Sequence, residues 1–208
     1  MEINNIIFSL FLIFLGYSFK KYFLLVLKKS KSSLLADNQF EKPQAFHEKP
    51  VYRLGGIVFF SLLILVFSYL FFLKEIFLLE YISFCALFFL LGLVDDLKIN
   101  IRPKFRLLAM IVILFFLVIY NNFYIEKSGL SFLNNLLDID IFALFFVCLC
   151  FLFIVNGANL IDGFNGLLGI HSLIIFIILF VINLISENSN LSYILFFISL
   201  LTLIVLKF

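Results

Sequence analysis

Two adjacent carboxylates, Asp95 and Asp96, stand just ahead of Lys98, Arg102, Lys104 and Arg106. Neighbouring carboxylates repel unless a cation sits between them or one takes up a proton, so the pair suits a divalent metal or a general base of raised pKa. The basic residues suit phosphate, although acids can also simply end a helix and Lys/Arg can anchor anionic lipid headgroups. A second constellation is the string NGANLIDGFNG at 156–166. On helical geometry Asn156, Asn159 and Asp162 share one broad face and can converge on a ligand, while Gly157, Gly163 and Gly166 loosen the chain and Asn165 adds a further amide. A turn between helices, capped by Asn and Asp, would use the same residues. Asp162 is the only formally charged residue between Asp140 and Glu187, and an acid at that position in an apolar stretch points to a role. Third, Arg53 precedes Gly55 and Gly56 at the start of an apolar run; glycine N–H groups can approach an anion closely, and glycine at a membrane helix start also serves packing. His47 reads as a surface histidine and His171 as a hydrogen-bonded helix residue.

The elements that must position these groups follow from composition. Hydrophobic residues make up 64% of the 208 and charged residues 13%, with 32 Phe; mean hydropathy is +1.21. Too little polar surface remains to clothe a soluble globule, and disorder, collagen and coiled coil are excluded on the same grounds. The net charge of +2 gives no case for nucleic acid as a partner. Cys85, Cys148 and Cys150 lie within apolar runs without metal-ligand spacing and read as buried thiols. The partner is the lipid bilayer. Against the roughly 20 residues a helix needs to cross it, spans are expected near 3–26, 54–73, 76–94, 105–121, 139–157, 167–185 and 191–206. Continuous apolar runs without alternation give an all-α, polytopic transmembrane helical bundle forming a single domain over 1–208. The chain opens with Glu2 and carries Lys20 and Lys21 after its first apolar run, so that run is a retained span rather than a cleaved signal. Thirteen of the fifteen Lys/Arg fall in one set of connections, leaving only Lys74 and Lys127 in the other. This bias predicts an outside N-terminus, a cytoplasmic C-terminus, and cytoplasmic loops at 28–53, 95–104 and 157–166.

The succession RLGGI, LGLVDD and NGANLIDGFNGLLG resembles the polyprenyl-phosphate N-acetylhexosamine-1-phosphate transferases. The resemblance aligns Asp95 and Asp96 with the family's paired Asp, and Asn156, Asn159, Asp162, Gly163, Gly166 and Leu167 with its N-x-x-N-x-x-D-G-x-x-G-L string. Arg53, Gly55 and Gly56 match its R-x-G-G opening. Asn165 stands where many members carry Asp. A further metal-binding Asp string and a His/Arg-rich loop of the family do not occur before Phe208, so the chain is expected to represent the first two-thirds of such a protein, whether as a fragment or a truncated form.

The resemblance implies transfer of a hexosamine-1-phosphate, most simply GlcNAc-1-phosphate, from a UDP-N-acetylhexosamine to polyprenyl (undecaprenyl) phosphate, with release of UMP, as the first membrane step of a cell-surface glycan pathway. It implies Mg²⁺ or Mn²⁺ as cofactor, a bacterial inner membrane location with the site facing the cytoplasm, and it admits a homodimer. Asp95, Asp96 and Asp162 are then the metal candidates, with Asp95 and Asp96 also catalytic; base and metal ligand are not distinguished between them. Asn156, Asn159, Asp162, Gly163 and Asn165 attend the nucleotide-sugar, and Arg53, Lys98 and Arg102 neutralise phosphates. Apolar spans for an isoprenoid and a charged cytosolic surface for a UDP-sugar fit this chemistry independently. A transporter using Asp162 as an ion site is the rival from another class; it leaves the acid pair and the cations after it without a task. An inactive truncated member of the family is a third possibility.

Overall fold

The protein is described by a computed structural model covering residues 3–29, 36–37, 51–52, 55–96, 102–125, 127–161 and 166–206. Its helices are α1 (Ile3–Lys29), α2 (Gly55–Lys74), α3 (Leu79–Asp96), α4 (Pro103–Asn121), α5 (Ser131–Leu137), α6 (Asp140–Ile161), α7 (Leu167–Ile185) and α8 (Ser189–Leu206). The polytopic helical architecture is thus observed, with a helix at every expected span. Five of them, α2, α4, α6, α7 and α8, are long and apolar enough over the described residues to cross a membrane. α1 and α3 are apolar over the shorter stretches Ile3–Phe19 and Leu79–Val94.

Three details depart from the sequence reading. A two-residue antiparallel pairing, β1 (Ala36–Asp37) with β2 (Val51–Tyr52), sets Ala36 opposite Tyr52 in a region read as loop. The connection between the fourth and fifth spans contains α5. Most relevant to the site, α6 runs on to Ile161, so Asn156, Gly157 and Asn159 are helical and the chain does not break at 157. The reason is local: Asn156 Nδ2 donates to the Leu152 carbonyl one turn back at 2.9 Å, and an Asn satisfied within its own helix has no need of a turn. Gly157 costs the helix only about 1 kcal/mol relative to Ala.

Helix ends are written into the backbone. Pro103 occupies the first turn of α4, where its missing N–H is no loss. At the far end Asn122 adopts the left-handed conformation (φ 52°), and the Phe123 N–H returns to the Val118 carbonyl at 3.1 Å. Glu75 and Glu187, just beyond α2 and α7, also have positive φ, 56° and 57°. The turns after α2 and α7 therefore each use a non-glycine residue in a left-handed conformation that costs roughly 1–2 kcal/mol, while Asn122 after α4 is a residue type that tolerates it.

The chain forms two compact units, residues 1–82 with 162–208, and residues 83–161. In the first, α8 packs against α1, α2 and α7. Leu12, Val58, Leu62, Val66, Leu70, Phe197 and Leu201 are buried there. α7 has no buried residue, and side chains such as Ile178 and Ile185 stand exposed, as on a lipid-facing helix. One polar joint interrupts this apolar interior. Asn5 is 1% exposed, and its Oδ1 accepts a hydrogen bond from the Tyr69 hydroxyl at 2.7 Å. The Tyr69 ring lies on Phe8, centroids 3.8 Å apart and 6° from parallel, with the edge-on ring of Phe197 completing the cluster. In the second unit Leu114 and Val118 of α4 pack with Val147 and Cys148 of α6, flanked by Phe84 and Phe88 of α3 and by Phe151.

Candidate functional site

The second unit holds the acid pair and two of the string's asparagines. Asp95 and Asp96 form the end of α3, and Asn156 and Asn159 lie in the last turns of α6. Arg102 is the residue capping the start of α4, exposed and in extended conformation (φ −59°, ψ 136°). Its carbonyl accepts from the Phe105 and Arg106 N–H groups at 2.9 and 3.3 Å. Successive membrane-crossing helices alternate in direction, and α5, with seven residues, is too short to cross. The ends of α3 and α6 and the start of α4 therefore fall on the same side. Contacts agree with this: Phe84, early in α3, packs 5.3 Å from Phe123, just past the end of α4, and 5.4 Å from Phe151 of α6. At 1.5 Å per residue, the shared core of the three helices lies about 12–23 Å from Asp96, Pro103 and Ile161, so the three ends are level to within roughly two turns.

The electrostatics of that end follow from the backbone. The last carbonyls of α3 and α6 have no helical N–H to accept, which places partial negative charge beside Asp95, Asp96 and Asn159 and suits a hard cation. The start of α4 presents the opposite sign, reinforced by exposed Arg102 and Lys104. Asn156 is half-buried, its amide nitrogen already engaged with Leu152. Of Asp95, Asp96 and Asn159 the structure describes the backbone alone.

The first unit supplies the helix ends next in the chain to Arg53 and Asn165. Arg53, Lys98, Asp162, Gly163 and Asn165 lie outside the described residues. Gly55 opens α2, and a Cβ there would stand 3.5 Å from Val205 near the end of α8. Gly166 opens α7 in the left-handed conformation (φ 75°), 3.8 Å by the same measure from Leu206. The residue after Arg53–Leu54 and the residue after Asn165 are thus gathered at one end of this unit by the last turn of α8. Among the described residues no three His, Cys, Asp or Glu side chains cluster as a metal site.

The profile of glycosyl transferase family 4 matches residues 78–208, well over half the chain and inclusive of α3 with its acid pair, the α6 asparagines and the Gly166 turn. The chain belongs to glycosyl transferase family 4. Among curated relatives it is similar to the phospho-N-acetylmuramoyl-pentapeptide-transferase of Dictyoglomus thermophilum, 36% identical over 135 residues, 62% of this chain and 41% of that protein. The enzyme of the same name from Campylobacter jejuni subsp. jejuni is 30% identical over 151 residues, 67% of this chain and 43% of the relative. The matches span about two fifths of the length of these relatives. No solved structure matches the chain. Family membership agrees with the motif reading of the sequence. What sequence reasoning did not find is that the helix runs past 157 to Ile161, the signal for which is the unbroken apolar run up to Val155 and the Leu160–Ile161 pair that continues it.

Proposed function

We propose that this family 4 member takes part in transfer of an N-acetylhexosamine-1-phosphate from a UDP-sugar to a polyprenyl phosphate. The observation that carries this is the acid pair at the end of α3 on the same side as the α6 asparagines and the basic start of α4, within a chain whose family profile spans all three. In the reaction an oxygen of the lipid phosphate attacks the β-phosphorus of the UDP-sugar. A new P–O bond forms, the bond from that phosphorus to the oxygen bridging to the α-phosphate breaks, and UMP departs with the electron pair. Any proton left on the attacking phosphate passes to Asp95 or Asp96. Arg102, Lys98 and Arg53 offset the charge of the phosphates, and Asn156, Asn159, Asp162 and Asn165 attend the nucleotide-sugar, with Gly163 admitting close backbone approach.

A divalent cation fits the donors. Adjacent carboxylates are the hard oxygen ligands Mg²⁺ or Mn²⁺ takes, and a helix C-terminus adds partial negative charge beside them, so Asp95 and Asp96, with Asp162, are the residues to hold it. When bound it would neutralise charge on the transferring phosphoryl oxygens. The reading further places this surface in the cytoplasm of a bacterial inner membrane, on the thirteen-to-two partition of Lys/Arg, where UDP-sugars are made.

Two donor chemistries fit this reading. The R-x-G-G opening favours an unsubstituted hexosamine such as GlcNAc, whereas the names of the relatives favour a peptide-bearing muramoyl donor. Membranes carrying the full-length gene product, supplied with undecaprenyl phosphate and Mg²⁺, should release UMP from one of UDP-GlcNAc and UDP-MurNAc-pentapeptide in excess of vector membranes. Release from neither would overturn the reading.

A further inference from the structure

The connection between α4 and α6 lies at the end of its unit opposite Asp95 and Arg102, and it has no part in the chemistry proposed above. Its helix α5 has a divided surface. On a helical wheel Ser131, Asn134 and Asn135 occupy one arc, and Phe132, Leu133, Leu136 and Leu137 the other. Half of the apolar arc is used within the protein: Leu137 is 6% exposed and Leu133 half-buried, where α5 packs on α6. The other half is not. Phe132 is 66% exposed and Leu136 39%, side by side at i and i+4. The polar arc is tied down. Asn134 Oδ1 accepts from the Ser128 N–H at 2.7 Å and from its hydroxyl at 2.9 Å, which fixes the rotation of α5 about its axis.

What covers Phe132 and Leu136 is indicated by continuity. Leu130 and Ile139, on either side of α5, are each 54% exposed, and the chain passes directly into Ile141 and Phe145 on the outer face of the membrane-crossing α6. On α4 the exposed stripe of Phe116 and Tyr120 leads to Tyr124. Tyrosines at a helix end mark the headgroup level, where an apolar ring and a polar hydroxyl are both satisfied. Exposed Lys127, Asp138 and Asp140 set the limit on the water side. We propose that Tyr124 and residues 127–139 form an interfacial membrane anchor, with α5 lying in the plane of the bilayer surface and Phe132 and Leu136 inserted at the boundary of headgroups and acyl chains. The occupant of this face is lipid. Insertion of such an arc reaches about 5–10 Å below the surface. An anchor at this point holds the depth of α4 and α6, whose opposite ends carry Arg102, Asn156 and Asn159.

The chain contains no Trp, so single-Trp variants report without background. Phe132→Trp and Asn135→Trp, on opposite arcs, are compared in phosphatidylcholine vesicles whose acyl chains carry bromine either near the headgroup or near the chain end. Phe132→Trp should emit to the blue, resist aqueous acrylamide, and be quenched more by the shallow bromine than by the deep one. Asn135→Trp should emit to the red and be quenched by acrylamide. Equal acrylamide access for the two variants would make the segment an ordinary solvated loop. Blue emission without bromine quenching would mean that protein, such as a second copy of the chain, covers the face. Stronger quenching from the deep bromine would place α5 within the hydrocarbon. Each of these three results overturns the anchor. Leu136→Trp repeats the measurement should Phe132→Trp fail to accumulate.

Discussion

Replacing Tyr69 by Phe isolates a single oxygen in the interior of the first unit. The ring keeps its stacking on Phe8, 3.8 Å between centroids, and its contact with the Phe197 edge, so the apolar packing is unchanged. What is lost is the 2.7 Å hydrogen bond to Asn5 Oδ1, a group on a residue only 1% exposed and far from water. In a soluble core, leaving such an acceptor without this donor costs about 1–3 kcal/mol. Between membrane helices the measured scale is smaller, averaging about 0.6 and reaching about 1.7 kcal/mol, because the separated helices find other partners. A loss of about 1 kcal/mol is therefore expected for Tyr69→Phe. Asn5→Leu should cost a comparable amount by removing this acceptor from the hydroxyl, and the double variant should recover part of the sum, giving a coupling of about 0.6–1.7 kcal/mol. SDS titration of the purified protein in mixed micelles, followed by far-ultraviolet circular dichroism, measures all four corners. A coupling below about 0.2 kcal/mol would refute the argument that this hydrogen bond joins α1 to α2. Tyr69→Leu, which also removes the stacked ring, should cost a further ~0.5–1.5 kcal/mol.

Gly16→Ala should destabilise the first unit by about 1–3 kcal/mol in the same titration, because the new methyl collides with Ile204 Cγ2 on a stiff, β-branched side chain; Gly169→Ala, which meets the movable end of Leu206, should cost clearly less, and the reverse order would refute the packing. Asp95→Asn or Asp96→Asn in the full-length protein should lower UMP release on the order of a hundredfold or more at unchanged membrane expression; near-normal turnover of both would leave these acids as a helix terminus only. Asn156→Ala should leave stability within about 0.5 kcal/mol, since its amide bonds its own helix, while slowing transfer; an unaltered rate would remove Asn156 from the site. A single Cys introduced at Ser33 or Asn100 should react with an impermeant thiol reagent only when the inner face is exposed, and one at Ser128 only from outside; the opposite pattern would overturn the cytoplasmic donor side.

The spans were legible because the bilayer thickness fixes the length of an apolar run, whatever its internal order. Expected limits such as 167–185 coincide with α7, and 105–121 with α4 to within two residues at its start. The motif positions were legible for a different reason: Asp162 is the only acid between Asp140 and Glu187, and Asp95 and Asp96 directly follow an apolar run, so these groups stand out against their surroundings. Legibility failed where tertiary or short-range hydrogen bonding decides. Asn156–Gly157 has the composition of a turn, yet the bond from Asn156 to Leu152 keeps it helical. Asn5, near the start of the first span, looks like a terminal polar residue; its importance arises from Tyr69, a partner at the far end of another helix. α5 was missed because seven residues carry too short a pattern to separate from a loop. Gly16 was invisible as well, since its role depends on Ile204 of α8.

Where each buried amide sends its hydrogen bond separates structural from functional polarity in this chain. Asn5 accepts from a different helix, so its carbonyl oxygen is a fixed joint, and drawing it away would open the contact of α1 with α2. Asn156 donates to its own helix one turn back, and among the described residues its Oδ1 makes no bond to a neighbouring element. An amide held in this way can turn to a ligand without dissolving any contact between helices, at the cost of one local bond worth about 1 kcal/mol. Asp95 and Asp96 stand in the last turn of α3, where the backbone carbonyls have no donor within the helix. On the proposed function, the end of the second unit that carries these residues accepts charge from outside, whereas the polar joint of the first unit is closed on itself.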